Sequence, residues 1–241
     1  MTELKTALAP RAVLRVGLNM SNFLLISGQS QGGAPTGIVP DLSADIASRV
    51  GVPLVWVPYA DAGLLSNGAN EDAWDIAFMG AEPERAKIIS FTAAYLEIEA
   101  SYLVPAGSSL QTITDIDRPG VRIAVAARAA YSLYLGRTLK QARLVEAEGL
   151  AGSFELFVNE KLDALAGLKP RLMQDQEKVP GSRILPGRFT AVQQAIATPS
   201  NRPVAFAFLK AYAEEIKANG TVARLIAKHG VKGVSVAAPA A

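Results

Sequence analysis

Residues 121–168 read VRIAVAARAAYSLYLGRTLKQARLVEAEGLAGSFELFVNEKLDALAGL. Residues 121–125, 143–146 and 164–168 are short runs rich in Val, Ile, Leu and Ala, the pattern of strands buried on both faces. Between them, residues 130–140 and 153–159 carry helical spacing. A strand–helix–strand–helix–strand series predicts an α/β unit with a mostly parallel sheet.

The same rhythm continues on both sides. Towards the N-terminus, residues 13–18, 53–57 and 75–79 read as strands, and residues 41–50 as an amphipathic helix with Leu42, Ile46 and Ala47 on one face. Pro83 is placed to open a helix over residues 83–87, since proline loses nothing at a first helical position. Residues 101–104 form a strand broken by Pro105-Ala106-Gly107-Ser108-Ser109. Towards the C-terminus, residues 190–196 are a strand and residues 203–219 a long helix. Gly220 is the expected stop, and residues 221–229 form a last helix. The expectation is two α/β units joined by two short apolar crossings.

Composition narrows the function. Of 241 residues, 50% are hydrophobic and 19% charged, with mean hydropathy +0.21, enough to bury a large core. Net charge is +2, which does not mark a nucleic-acid partner. Residues 105–188 hold 12 basic and 9 acidic residues, so the middle of the chain is the more basic part. No run reaches the roughly 18 apolar residues of a membrane span. Residues 1–10 lack the apolar core of a secretory signal. There is no cysteine and one histidine, His229, which excludes a catalytic triad and Cys-ligated metal. No cofactor is expected. Gly28-Gln29-Ser30-Gln31-Gly32-Gly33 lacks the G-K-[ST] of a phosphate loop.

The chain resembles the family 3 solute-binding proteins, the amino-acid-binding class that feeds ABC importers. The resemblance runs from Leu14-Arg15-Val16-Gly17-Leu18 through Gly37-Ile38-Val39-Pro40-Asp41-Leu42 and Trp74-Asp75-Ile76-Ala77. Its most specific part is Glu84-Arg85 followed by Phe91-Thr92-Ala93-Ala94-Tyr95. It extends to the segment from Asp115 to Val125 and to Ala218-Asn219-Gly220-Thr221. It implies a two-lobed, type II periplasmic-binding-protein-like α/β fold, each lobe a mostly parallel sheet flanked by helices, with two hinge crossings about which the lobes close on ligand. Lobe 1 would comprise residues 1–104 and 189–241, and lobe 2 residues 105–188.

The resemblance makes Arg85 the leading site residue. An arginine there clamps a ligand carboxylate through two parallel hydrogen bonds. With Glu82 as cap and Pro83 first, Arg85 is expected in the first turn of a helix, where the dipole also favours an anion. The hydroxyl residues that the family places before this arginine are absent, which leaves the backbone amides of Gly80 and Ala81. In lobe 2 the family's glycine-threonine turn is replaced by Ala127-Arg128-Ala129-Ala130. Arg128 is either a second anion contact or a surface charge, and Tyr131 either stacks on ligand or packs in the core.

The aspartate with which amino-acid binders pair the ligand's ammonium is replaced by Gly167 or Leu168, followed by Lys169. This favours a small organic anion over an ordinary zwitterion. After the first strand, Asn19 and Asn22 either bond ligand or form turns, and Phe23 either walls the pocket or packs. The candidate ligand-binding set is therefore Asn19, Asn22, Phe23, Gly80, Ala81, Glu82, Arg85, Arg128, Ala129, Tyr131 and Lys169. Glu97, Glu99, Glu214 and Glu215 read as solvated, and His229 as an exposed cap of its helix.

These features predict a monomeric solute-binding protein without turnover, taking a small organic anion or amino-acid-like ligand and serving an ABC permease. A cyclohexadienyl-dehydratase-like enzyme is the rival, with Glu82 as its acid, and a cytoplasmic ligand sensor is a third reading. The family implies the periplasm, while the lack of a signal in this chain leaves the cytoplasm open.

Overall fold

The computed structural model describes residues 2–240. The chain divides into two units, residues 1–97 with 193–241, and residues 98–192. The strand that starts at Ile89 runs unbroken to Val104 and carries the chain from the first unit into the second.

The first unit opens with helix α1 (Thr2–Leu8) and strand β1 (Leu14–Asn19), followed by a two-residue hairpin of β2 (Gly28–Gln29) and β3 (Pro35–Thr36). Helix α2 (Ile38–Val50), β4 (Leu54–Tyr59), α3 (Ala62–Asn67), β5 (Ile76–Gly80) and β6 (Ile89–Val104) follow. The second unit holds β7 (Arg122–Ala126), α4 (Ala130–Thr138), β8 (Arg143–Ala147), α5 (Gly149–Asn159), β9 (Ala164–Leu168), α6 (Lys169–Gln176) and β10 (Arg183–Ile184). Strand β11 (Thr190–Pro199) returns to the first unit, which ends with α7 (Pro203–Ala218), α8 (Thr221–Lys228) and β12 (Val234–Val236).

In the first unit β4, β1 and β5 are parallel, with Gly17 opposite both Val57 and Ala77. Strand β11 runs antiparallel to β5, setting Gln194 opposite Gly80. One face of this sheet is packed by Leu65 and Ala69 of the α3 region with Trp74, Ala77, Met79 and Ala197. Gly37, the cap of α2, has φ 141, and a Cβ there would lie 2.4 Å from the Leu25 carbonyl oxygen. Only glycine fits so close an approach in that conformation.

The base of this sheet is tied by a buried carboxylate. Asp75 is fully buried and accepts from the Arg15 backbone N–H (2.8 Å), Arg15 Nη2 (2.7 Å) and Arg202 Nη1 (2.6 Å). It thus joins β1, the entry to β5 and the start of α7.

In the second unit β8, β7 and β9 are parallel, and β9 runs antiparallel to β6 with Ala100 opposite Leu168. Successive residues of β7 point to opposite faces. Ile123 and Val125 pack with Tyr131 and Leu135 of α4. Ala124 joins Phe157 of α5 and Leu172 of α6 on the other face. Burial on both faces explains the continuous apolar runs read in the sequence. Asp163 Oδ2 accepts the Arg122 N–H at 2.7 Å, fixing how β7 enters the sheet.

Candidate functional site

In open α/β sheets ligands sit beyond the carboxyl ends of the parallel strands. In the first unit these ends are Asn19 on β1 and Gly80 on β5. After Gly80 the chain turns at Pro83, makes one 3-10 turn over Arg85–Lys87 and enters β6 at Ile89. The α-helix expected from Pro83 does not form. Glu84, not Glu82, precedes the turn, and its side chain makes no cap bond. The reason is length: the chain must be extended again by Ile89, leaving room for one turn. Three residues carry no useful macrodipole, so the electrostatic case for this site rests on the guanidinium itself.

Arg85 is 5% exposed and donates from Nη1 to the Gly80 carbonyl oxygen at 2.7 Å. Glu82 is half-buried, and its carbonyl accepts the Ala86 N–H at 3.0 Å. The Ala81 N–H donates to the Gln193 carbonyl at 2.8 Å, so the expected use of that amide for an anion is corrected: β11 takes it. Because residues 81 and 193 exchange a bond, the next pair, Gly80 and Gln194, is the non-bonded kind. The Gly80 carbonyl therefore points away from β11, where Arg85 meets it.

On β1, the Asn19 side chain is spent on a turn, its Oδ1 accepting from the Ser21 N–H (3.1 Å) and Oγ (2.7 Å). Asn22 differs: its Oδ1 is buried and accepts no hydrogen bond from the described residues. Phe23 is half-buried. Gln194 was missed in the sequence. It is buried, cross-strand from Gly80, and its Oε1 also finds no partner among the described residues. Strand β11 carries two adjacent glutamines, Gln193 and Gln194, and nothing in the sequence singles out the one that is buried.

In the second unit the carboxyl ends of β7 and β9 carry the candidates. Arg128 is exposed in the left-handed region at φ 59, and Ala129 caps α4 without a side-chain bond. A non-glycine residue held there is uncommon. Tyr131 is 3% exposed among Ala130, Leu135 and Val125, and burial pushes its phenol above the usual range.

Lys169 is not an isolated cation. Its Nζ pairs with Glu99 Oε2, while Arg188 Nη1 reaches Glu99 Oε1 at 3.3 Å. The expectation that Glu99 is simply solvated is thereby corrected. The hydrogen bond from Lys169 is the main reason that its carboxyl titrates below the usual range. His229 is corrected too, since its side chain is largely buried and Nε2 lies 2.7 Å from Asp41 Oδ2.

Two α/β units, each built on a mostly parallel sheet flanked by helices, define a periplasmic-binding-protein-like fold. The chain belongs to the bacterial extracellular solute-binding proteins, family 3, whose model matches residues 14–232. Solved structures agree on the fold. A mutant of the arginine-binding protein ArgBP from T. maritima is 21% identical with TM-score 0.74, covering 94% of this chain and 99% of that one. The ancestral amino acid-binding protein AncCDT-1, a precursor of cyclohexadienyl dehydratase, is 21% identical with TM-score 0.75, covering 93% and 97%. A putative ABC-transporter binding component from Wolinella succinogenes, complexed with lysine, is 22% identical with TM-score 0.74, covering 90% and 95%. Comparison with curated proteins gives no significant match. Among the described residues no helix is long and apolar enough to cross a membrane.

Proposed function

We propose that this chain binds a small carboxylate-bearing organic molecule, closing its two units on it, and delivers it to an ABC-type importer. The observation that carries this reading is the buried Arg85 guanidinium, oriented by the Gly80 carbonyl at the end of β5. Such a fork presents parallel donors that match a carboxylate. Asn22 Oδ1 and Gln194 Oε1 are acceptors in the same unit for hydroxyl or amide hydrogens of a ligand.

The dehydratase reading needs a carboxylic acid poised at the ligand, and Glu82 is the residue on which it rests. Membership of a binding-protein family favours binding. Native mass spectrometry of the purified protein, followed by calorimetry with any molecule released, tests the proposal. A carboxylate recovered intact and rebound supports it. Conversion of a carboxylated cyclohexadiene with release of carbon dioxide supports the enzyme instead.

A further inference from the structure

We infer that Lys169, Arg188 and Glu99 form a second carboxylate-binding site, on the second unit, in which Glu99 holds the place of an acidic group of the ligand. This rests on the reading of Arg85 as a carboxylate clamp and names the ligand class as dicarboxylates.

The placement comes from strand register. Ala100 of β6 lies opposite Leu168, the last residue of β9, so Glu99 is the next position beyond that strand's carboxyl end. The Phe189 N–H donates to the Ala100 carbonyl at 3.1 Å, which brings the adjacent Arg188 to the same end. Lys169 begins α6 directly after β9. Three separate segments thus deliver two cations and one carboxylate to the edge where ligands bind in such sheets.

The charge count is unbalanced. Lys169 and Arg188 occupy different oxygens of Glu99, leaving one net positive charge on the group. Lys169 also stands at the first position of α6, where the helix dipole disfavours a cation. An additional anion would relieve both strains, whereas an ammonium would add to them. The three side chains are 28%, 49% and 41% exposed for Lys169, Arg188 and Glu99. Ion pairs that open to water hold weakly, so a ligand carboxylate can replace that of Glu99. Lysine keeps its charge on a flexible stem and can follow the exchange.

The test is calorimetry with chain-matched acids, such as glutarate against pentanoate, on the whole protein and on Glu99→Gln, Lys169→Met and Arg188→Met. The wild-type protein is expected to prefer the dicarboxylate by about threefold or more, as one exposed pair allows. Removing the competing carboxylate in Glu99→Gln should widen that preference by about threefold, the scale of an exposed pair. Lys169→Met and Arg188→Met should each narrow it. Equal wild-type affinity for the two acids, or a preference narrowed by Glu99→Gln, overturns this inference while leaving the Arg85 clamp standing. Failure of every carboxylate to bind the wild-type protein overturns the clamp, and the inference with it.

Discussion

Arg85 Nη1 donates to the carbonyl oxygen of Gly80 at 2.7 Å, so the residue that ends β5 orients the residue that opens the following 3-10 turn. That bond holds one edge of the guanidinium.

Arg85→Ala is expected to lower ligand affinity by on the order of 100-fold or more, since two charged hydrogen bonds contribute about 1.5–3 kcal/mol each. It also leaves the Gly80 carbonyl without this donor, at a cost of about 1–3 kcal/mol in stability. Arg85→Lys keeps the charge but not the fork, and should still bind about tenfold more weakly or worse. Calorimetry and thermal melting read the two effects separately. Affinity for the native ligand unchanged within about twofold in Arg85→Ala, against the loss expected from its hydrogen bonds, would sink the assignment.

Asp75 makes the opposite kind of contribution, to the frame alone. It is fully buried and faces Arg15 and Arg202. Asp75→Asn leaves the Arg15 and Arg202 guanidiniums with only the half-exposed carboxylate of Asp72 as counter-charge, and should cost about 3 kcal/mol. The Arg11–Asp72 pair at 3.1 Å is exposed, so Arg11→Ala should cost at most about 1 kcal/mol. Urea unfolding with an unchanged slope compares them, and equal losses would refute the distinction.

How much was legible follows from where burial falls. Strand β9 appears over the very residues 164–168 expected, because both of its faces are covered and its apolar run is continuous. Helix α6 was not foreseen: in Lys169–Gln176 only Pro170, Leu172 and Asp175 are buried, too few to show a helical period. Strand β6 was expected only from residue 101, yet it begins at Ile89. The acids at Glu97 and Glu99 interrupt its apolar pattern, and the register that sets Glu99 beside Lys169 is a long-range pairing that no local pattern encodes. For the same reason Arg85 was legible as a residue, through the family motif, while its short turn and its bond to Gly80 were not.

Acid should loosen the contact between α2 and α8. Burial raises the Asp41 carboxyl, but hydrogen bonds from Lys228 (2.8 Å) and His229 (2.7 Å) outweigh it, leaving the group below its ordinary value of 3.8. A carboxylate lowered in the folded state stabilises fully above its unfolded value, and that contribution is lost as pH falls through the folded one. Asp41→Asn should therefore be less stable than wild type at neutral pH, with the difference shrinking as the pH falls below about 4 and vanishing only below the folded value. Urea titrations from neutral to acidic pH check this. A difference that stays constant over the range would show that the pair contributes nothing through its charge.

Carboxylates without an α-amino group should bind better than the matching amino acids. Beside the carboxyl end of β9 in the second unit stand Lys169 and Arg188, both paired with the one carboxylate of Glu99. The position where an ammonium partner is expected from the family holds Gly167 and Leu168. An ammonium taken out of water without a carboxylate is costly, and here it would also face surplus positive charge. Glu99 is already engaged by two cations, so an ammonium brought to it would be a third positive charge on one carboxylate. Glu82, half-buried beside the Arg85 turn, is the remaining carboxylate of the candidate site. A thermal-shift panel pairing amino acids with their deaminated analogues decides the matter. Greater stabilisation by the deaminated acids is the expected result. Stabilisation by the amino acids alone would refute this charge count, and Glu82→Gln and Glu99→Gln would then show which carboxylate receives the ammonium.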